Sequence, residues 1–93
     1  MTTNVPGGWV IAKMQPATLP EEVQSAFSQV TSSMVGATYV PVLYCGYQVV
    51  QGTNHMIICE QTLAAQGAPK HLIKMVINIF QHNASIVGIE TIL

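Results

Sequence analysis

Few side chains in this 93-residue chain can do chemistry: two cysteines, Cys45 and Cys59, three histidines, His55, His71 and His82, and one adjacent carboxylate pair, Glu21 and Glu22. The cysteines could form a disulfide, hold a metal or act as a nucleophile. A β-hairpin closing through a three-residue turn of Gln51, Gly52 and Thr53 would set them directly opposite, near bridging distance. Zinc needs several ligands at regular spacing, and the histidines are scattered. A cysteine nucleophile needs a thiolate in an accessible, electropositive site, and the neighbours of Cys45 and Cys59 supply no such charge. Strand alternation puts Cys45 on a face with Leu43 and Tyr47, and Cys59 with Ile57, so both are expected as reduced thiols packed as small hydrophobes. Glu21 and Glu22 are neighbours on a helix and point apart, which suits a solvated first turn rather than an acid–base couple.

The elements that would position these residues are legible. Residues 9–14, WVIAKM, read as a short first strand, after a polar segment 1–8 expected to be flexible. A helix follows, with Thr18 as its cap, Pro20 in the first turn, the two glutamates at the positive end of the dipole, and Gly36 as its stop. Val23, Ala26, Phe27, Val30 and Met34 fall at helical spacing and form its apolar stripe. Beyond Gly36 the pattern turns to β. TYVPVLYCGYQVV carries Pro41, which argues for a strand start or edge. TNHMIICEQTL, KHLIKMVINIF and ASIVGIETIL complete four strands. Ile73, Met75, Ile77 and Ile79 alternate with Lys74 and Asn78. Short loops make the sheet antiparallel, and the single helical stripe is its natural cover. The expected fold is α+β, a single domain over 1–93 in which one helix is wrapped by a four- to five-stranded antiparallel sheet. Trp9 is expected to pack at the sheet's end. Met14, Met34, Met56 and Met75 read as core or sheet filler.

Composition narrows the function. Charged residues make up only 8% of the chain against 49% apolar, and the net charge is −1. Three lysines cannot neutralise a run of phosphates, so nucleic acid is not an expected partner. No apolar run approaches membrane-spanning length, and the N-terminus lacks the basic-then-apolar pattern of a secretory signal. A cytoplasmic or intracellular protein is therefore expected if the chain is complete. So little charge also points to an exposed apolar patch. Alternation places Tyr44, Met56, Ile58, Leu72, Val76 and Phe80 on the sheet face away from the helix, where a partner or second copy would cover them.

One stretch has two readings: either Val49 ends the core-facing row and Val50 is incidentally exposed, or the pair is exposed for a partner. The hairpin between the second and third strands has QVVQG, residues 48–52, at its tip, where a polar pair such as Asn-Gly is usual. Two valines there face water. QVVQG also fits the Gln-x-Val-x-Gly signature of the cystatins, inhibitors of papain-like cysteine proteases. The following TN, the VPGG near the N-terminus, AK at 12–13, PAT at 16–18 and the order of one helix and five strands are similar to the same family. The chain most resembles the stefins, cystatins without signal peptide or disulfides, over about Val5 to Phe80.

The resemblance implies a blunt wedge that enters the protease cleft and performs no chemistry, with no catalytic residue, metal or cofactor. Its parts would be Val5, Pro6, Gly7 and Gly8 of the N-terminal segment, and Gln48, Val49, Val50, Gln51 and Gly52 of the hairpin. A third part would be the turn between the last two strands. There the family's Leu-Pro or Pro-Trp pair is replaced by Gln81, His82 and Asn83, and the usual C-terminal tail is missing. The resemblance also implies a homodimer as an available state, including one that swaps N-terminal halves by opening the hairpin. The alternative function is a non-inhibitory module of the same fold that assembles through its apolar sheet face.

Overall fold

A computed structural model of the chain describes residues 8–13 and 17–93. The helix, α1 (Glu21–Ser32), is shorter at both ends than the sequence pattern predicts. Its N-cap position falls on Pro20 rather than Thr18, with extended backbone and no side-chain oxygen to cap with. Proline is tolerated there because the first helical bond, Gln24 N–H to Pro20 O at 2.8 Å, uses only its carbonyl. At the other end three hydroxyls compete with the backbone. Thr31 Oγ1 donates to Phe27 O, Ser32 Oγ to Gln29 O and Ser33 Oγ to Val30 O, at 2.7, 3.0 and 3.1 Å. The helix therefore ends before Gly36, which has a φ of +95° in the link to the next strand.

The strands are β1 (Trp9–Ile11), β2 (Ala37–Val50), β3 (Gly52–Leu63), β4 (Lys70–Phe80) and β5 (Asn83–Thr91). They form one antiparallel sheet in chain order, with α1 packed on one face. The core between them is Leu19, Val23, Ala26, Phe27 and Val30 against Tyr44, Ile57, Cys59, Ile73, Met75 and Ile77. Five of these side chains, Ile57, Cys59, Ile73, Met75 and Ile77, have no exposed area. Helical and strand periodicities thus deliver the expected stripes to the same interface, except that Met34 falls beyond the end of α1 and outside the core, and apolar burial at that interface is the main source of stability. Lys70–Glu60 and Lys74–Glu90 are exposed cross-strand ion pairs at 3.3 and 3.2 Å that contribute little.

β2 departs from ideal pairing twice. The register shifts between Pro41 and Leu43 and again between Tyr44 and Gly46. Each shift adjoins a residue with an unusual constraint. Pro41 has no N–H to donate. Gly46 lies so close to the backbone of Val10 in β1 that any side chain would overlap the Val10 carbonyl. Pro41 is thus mid-strand, not at its start, but β1 pairs only with residues 46–48 and leaves this part of β2 beyond its reach.

The bulges, together with a β2–β3 turn shorter than expected, overturn two expectations. Cys59 pairs with Pro41, not with Cys45, and the cysteines are free. Tyr44 is buried in the core at 7% exposure instead of facing outward, and Cys45 takes the outer side, half-buried. The other outer-face residues, Met56, Ile58, Leu72 and Val76, are half-buried there, and Phe80 is 37% exposed.

Candidate functional site

Three chain segments meet at one end of the sheet. β1 begins beside the hairpin, with Trp9 paired to Gln48, so Gly8 adjoins the β2–β3 tip. That tip is tighter than the three-residue turn expected: Val50 pairs with Gly52 and only Gln51 is left between them. The β4–β5 turn lies at the same end, because Thr53 pairs with Ile79 and Phe80 with Asn83. Val5, Pro6 and Gly7, assigned to the same wedge from sequence, lie outside the described residues, as does Met14.

At the tip Val49 is 61% and Val50 43% exposed. By strand alternation Val49 continues the core-facing row past the end of the helix, and Val50 points to the other face. Neither has a core to enter. Gln51 is exposed as well, and Gly8 and Gly52 are half-buried. Gly52 has a task inside the molecule: its φ is +78°, and a side chain there would collide with the Ile79 carbonyl and with Phe80 of β4. The glycine of QVVQG therefore lets β3 and β4 close up behind the tip.

The tip is also braced by a row of amides. Asn54 Nδ2 donates to Gln48 Oε1 at 3.1 Å, and Asn78 Nδ2 donates to Asn54 Oδ1 at 2.9 Å and to the Gln51 carbonyl at 3.1 Å. Gln48, a wedge residue by resemblance, is thus tied across β2, β3 and β4. The Gln51 carbonyl, an orphan in so tight a bend, has a partner. Sequence reasoning did not single out Asn54 or Asn78 for this. The signal was present as three amides on one sheet face, but only the register shows that they touch.

The β4–β5 connection is a two-residue turn of Gln81 and His82, with φ of +50° and +67°. Both values are in the left-handed region, as a type I′ hairpin turn requires, yet neither residue is the Asn or Gly usually found there. Both side chains are exposed. His82 also lines an open groove with Glu21, Glu22 and Ala26 of α1 and with Ile79 and Ala84 of the strands. The third segment thus stands beside the valine tip and presents polar groups.

Just inside the tip, Tyr44 Oη and His55 Nδ1 lie 2.8 Å apart. Burial pushes the Tyr44 hydroxyl up to about 12, with the neighbouring Tyr47 adding to it, and lowers His55 below the ordinary histidine value. The thiols are held protonated. Burial raises Cys45, and it pushes Cys59 up to about 12 with Cys45 adding to it. That is the opposite of what an activated nucleophile needs. Among the described residues no cluster of three or more His, Cys, Asp or Glu is placed to hold a metal ion, and no helix is long and apolar enough to cross a membrane. What the tip can do is bind: it offers an uncharged, braced, partly apolar surface. No family model, curated protein or solved structure matches the chain.

Proposed function

We propose that the chain is a reversible protein inhibitor of papain-like cysteine proteases, and that it acts by lodging this end of the sheet in the enzyme's active-site cleft. The observation that carries the proposal is the exposure of Val49 and Val50 on a braced hairpin, with Gly8 on one side and the Gln81–His82 turn on the other. Apolar residues held rigidly in water lose little entropy on binding and gain from desolvation. On this reading the fold is cystatin-like, the resemblance is to stefins, and the resemblance extends the proposal to an intracellular site of action. The inhibitor excludes substrate and catalyses nothing. The N-terminal residues Val5, Pro6 and Gly7 extend the contact along the cleft. His82 supplies a polar contact where the family has an apolar one, which narrows the range of proteases bound tightly.

Titration of papain with the protein tests this. Stoichiometric loss of activity at micromolar concentration is expected, with little dependence on salt because the contacts are uncharged. Val49→Asp puts a charge into the desolvated centre of the contact and is expected to weaken inhibition at least about a hundredfold, in the range of a hot-spot loss. Undiminished papain activity, or full inhibition by Val49→Asp, contradicts the proposal.

A second reading rests on the opposite face of the sheet. Met56, Ile58, Leu72 and Val76 lie there side by side, and α1 covers the other face. On that reading the protein is an assembly module, and this face is where it meets another subunit.

A further inference from the structure

His55 is the one buried polar side chain in the described core, at 9% exposure. It lies three residues from Gly52 at the tip, on the core face, paired with Tyr47 of β2 and Ile77 of β4. Its Nδ1 is taken by the Tyr44 hydroxyl, and its Nε2 has no partner among the described residues. In the neutral ring this is tolerable. One nitrogen bonds Tyr44 and the other leaves a single neutral polar atom unpaired. Protonation adds one proton, at Nδ1 if Tyr44 donates to the neutral ring and at Nε2 if it accepts, and in either case the cation has an N–H at both nitrogens. Nδ1 must become a donor, which ends any donation by Tyr44 to it. Nε2 must carry an N–H and half a positive charge with no acceptor in a site closed to water.

We infer that the Tyr44–His55 pair is an acid-sensitive latch beneath the tip, and that protonating His55 loosens the β2–β3 hairpin and the start of α1 from the core. The titratable and charged groups that face His55 are Tyr44 and Tyr47 from β2 and Glu22 from the first turn of α1, while β4 contributes Ile77, which does not titrate. Glu22 alone favours the cation, and burial outweighs it, so the folded state prefers the neutral ring. The sign follows. A histidine lowered in the folded state costs nothing above its unfolded value of about 6.5, because neither state is protonated. Stability falls as pH drops below about 6.5 and levels off below the folded midpoint, once both states carry the proton. The latch concerns the fold under the tip and does not depend on what the tip binds.

The test begins with the wild-type protein, so it survives a variant that fails to fold. Imidazole proton signals followed between about pH 5 and about pH 8 report each histidine directly. His55 is expected to titrate below the ordinary histidine range. Denaturant unfolding over the same interval is expected to show the unfolding constant rising roughly tenfold for each pH unit between the folded and unfolded His55 midpoints. Amide exchange corrected for intrinsic rates is expected to accelerate in acid at residues 47–55 and 21–24 before it does in the middle of β4. His55→Leu is expected to remove most of this pH dependence. A His55 midpoint at or above about 6.5, an unchanged pH dependence in His55→Leu, or uniform acceleration across the sheet each overturns the latch.

Discussion

Gly52 shows how one residue can serve a signature and a fold together. Its place in QVVQG invites a reading in which glycine makes room for a partner. Its positive φ and the overlap that any side chain would make with Ile79 and Phe80 show that the hairpin itself needs it. Gly52→Ala is therefore expected to destabilise the protein by roughly 1–3 kcal/mol, the range for a strained left-handed residue. Equilibrium urea unfolding measures this, and wild-type stability in the variant would mean that β3 and β4 do not approach as described. The valines beside it carry the reverse lesson. Nothing in the interior requires Val49 or Val50, and replacing either with a polar residue should leave folding nearly unaffected. A residue that the fold does not need, at a place where water penalises it, is where a binding role is worth testing.

Among the elements, the β4–β5 hairpin carries the clearest local strain. Gln81 and His82 both hold left-handed backbone in a two-residue turn whose favoured sequence is Asn-Gly. The double substitution Gln81→Asn with His82→Gly is expected to raise stability by about 1 kcal/mol, set by the cost of left-handed backbone in ordinary residues. Thermal unfolding reads the gain, and an unchanged or lowered midpoint would contradict the turn's geometry. Strain kept at the tip, where it is easily relieved, fits a turn retained for what its side chains meet. The elements also show where sequence reading stops. The apolar stripe from Val23 to Val30 and the alternation from Ile73 to Ile79 locate α1, β4 and the core, because burial acts through periodicity. Bulges leave no such trace. Pro41 and Gly46 signal irregularity, but not that two extra residues enter β2, so that Tyr44 and Cys45 exchange faces; nor does the sequence show the tighter hairpin turn, which by itself takes Cys59 away from Cys45. The helix ends fared likewise: Thr18 looks like a cap by type, and only the observed backbone shows that Pro20 occupies the position.

For the molecule as a whole, the two readings of function fall on different parts of the surface. One face of the sheet is sealed by the helix. The other is apolar and half-buried, and one end gathers Gly8, the valine tip and the Gln81–His82 turn. That the three segments share an end follows from strand pairing, while the bracing of the β2–β3 tip by Gln48, Asn54 and Asn78 was not legible, because hydrogen bonds between strands depend on register. With a net charge of −1 spread over few ionisable groups, long-range steering would contribute little, and the proposed binding would rest on shape and desolvation. The most direct test maps the contact itself. Isotope-labelled protein is mixed with papain whose catalytic cysteine is replaced, and amide signals are compared with and without the enzyme. The account predicts that the shifted or broadened amides cluster at Gly8, residues 48–52 and residues 81–83. Changes centred on Met56, Ile58, Leu72 and Val76, or none at saturating enzyme, would contradict it.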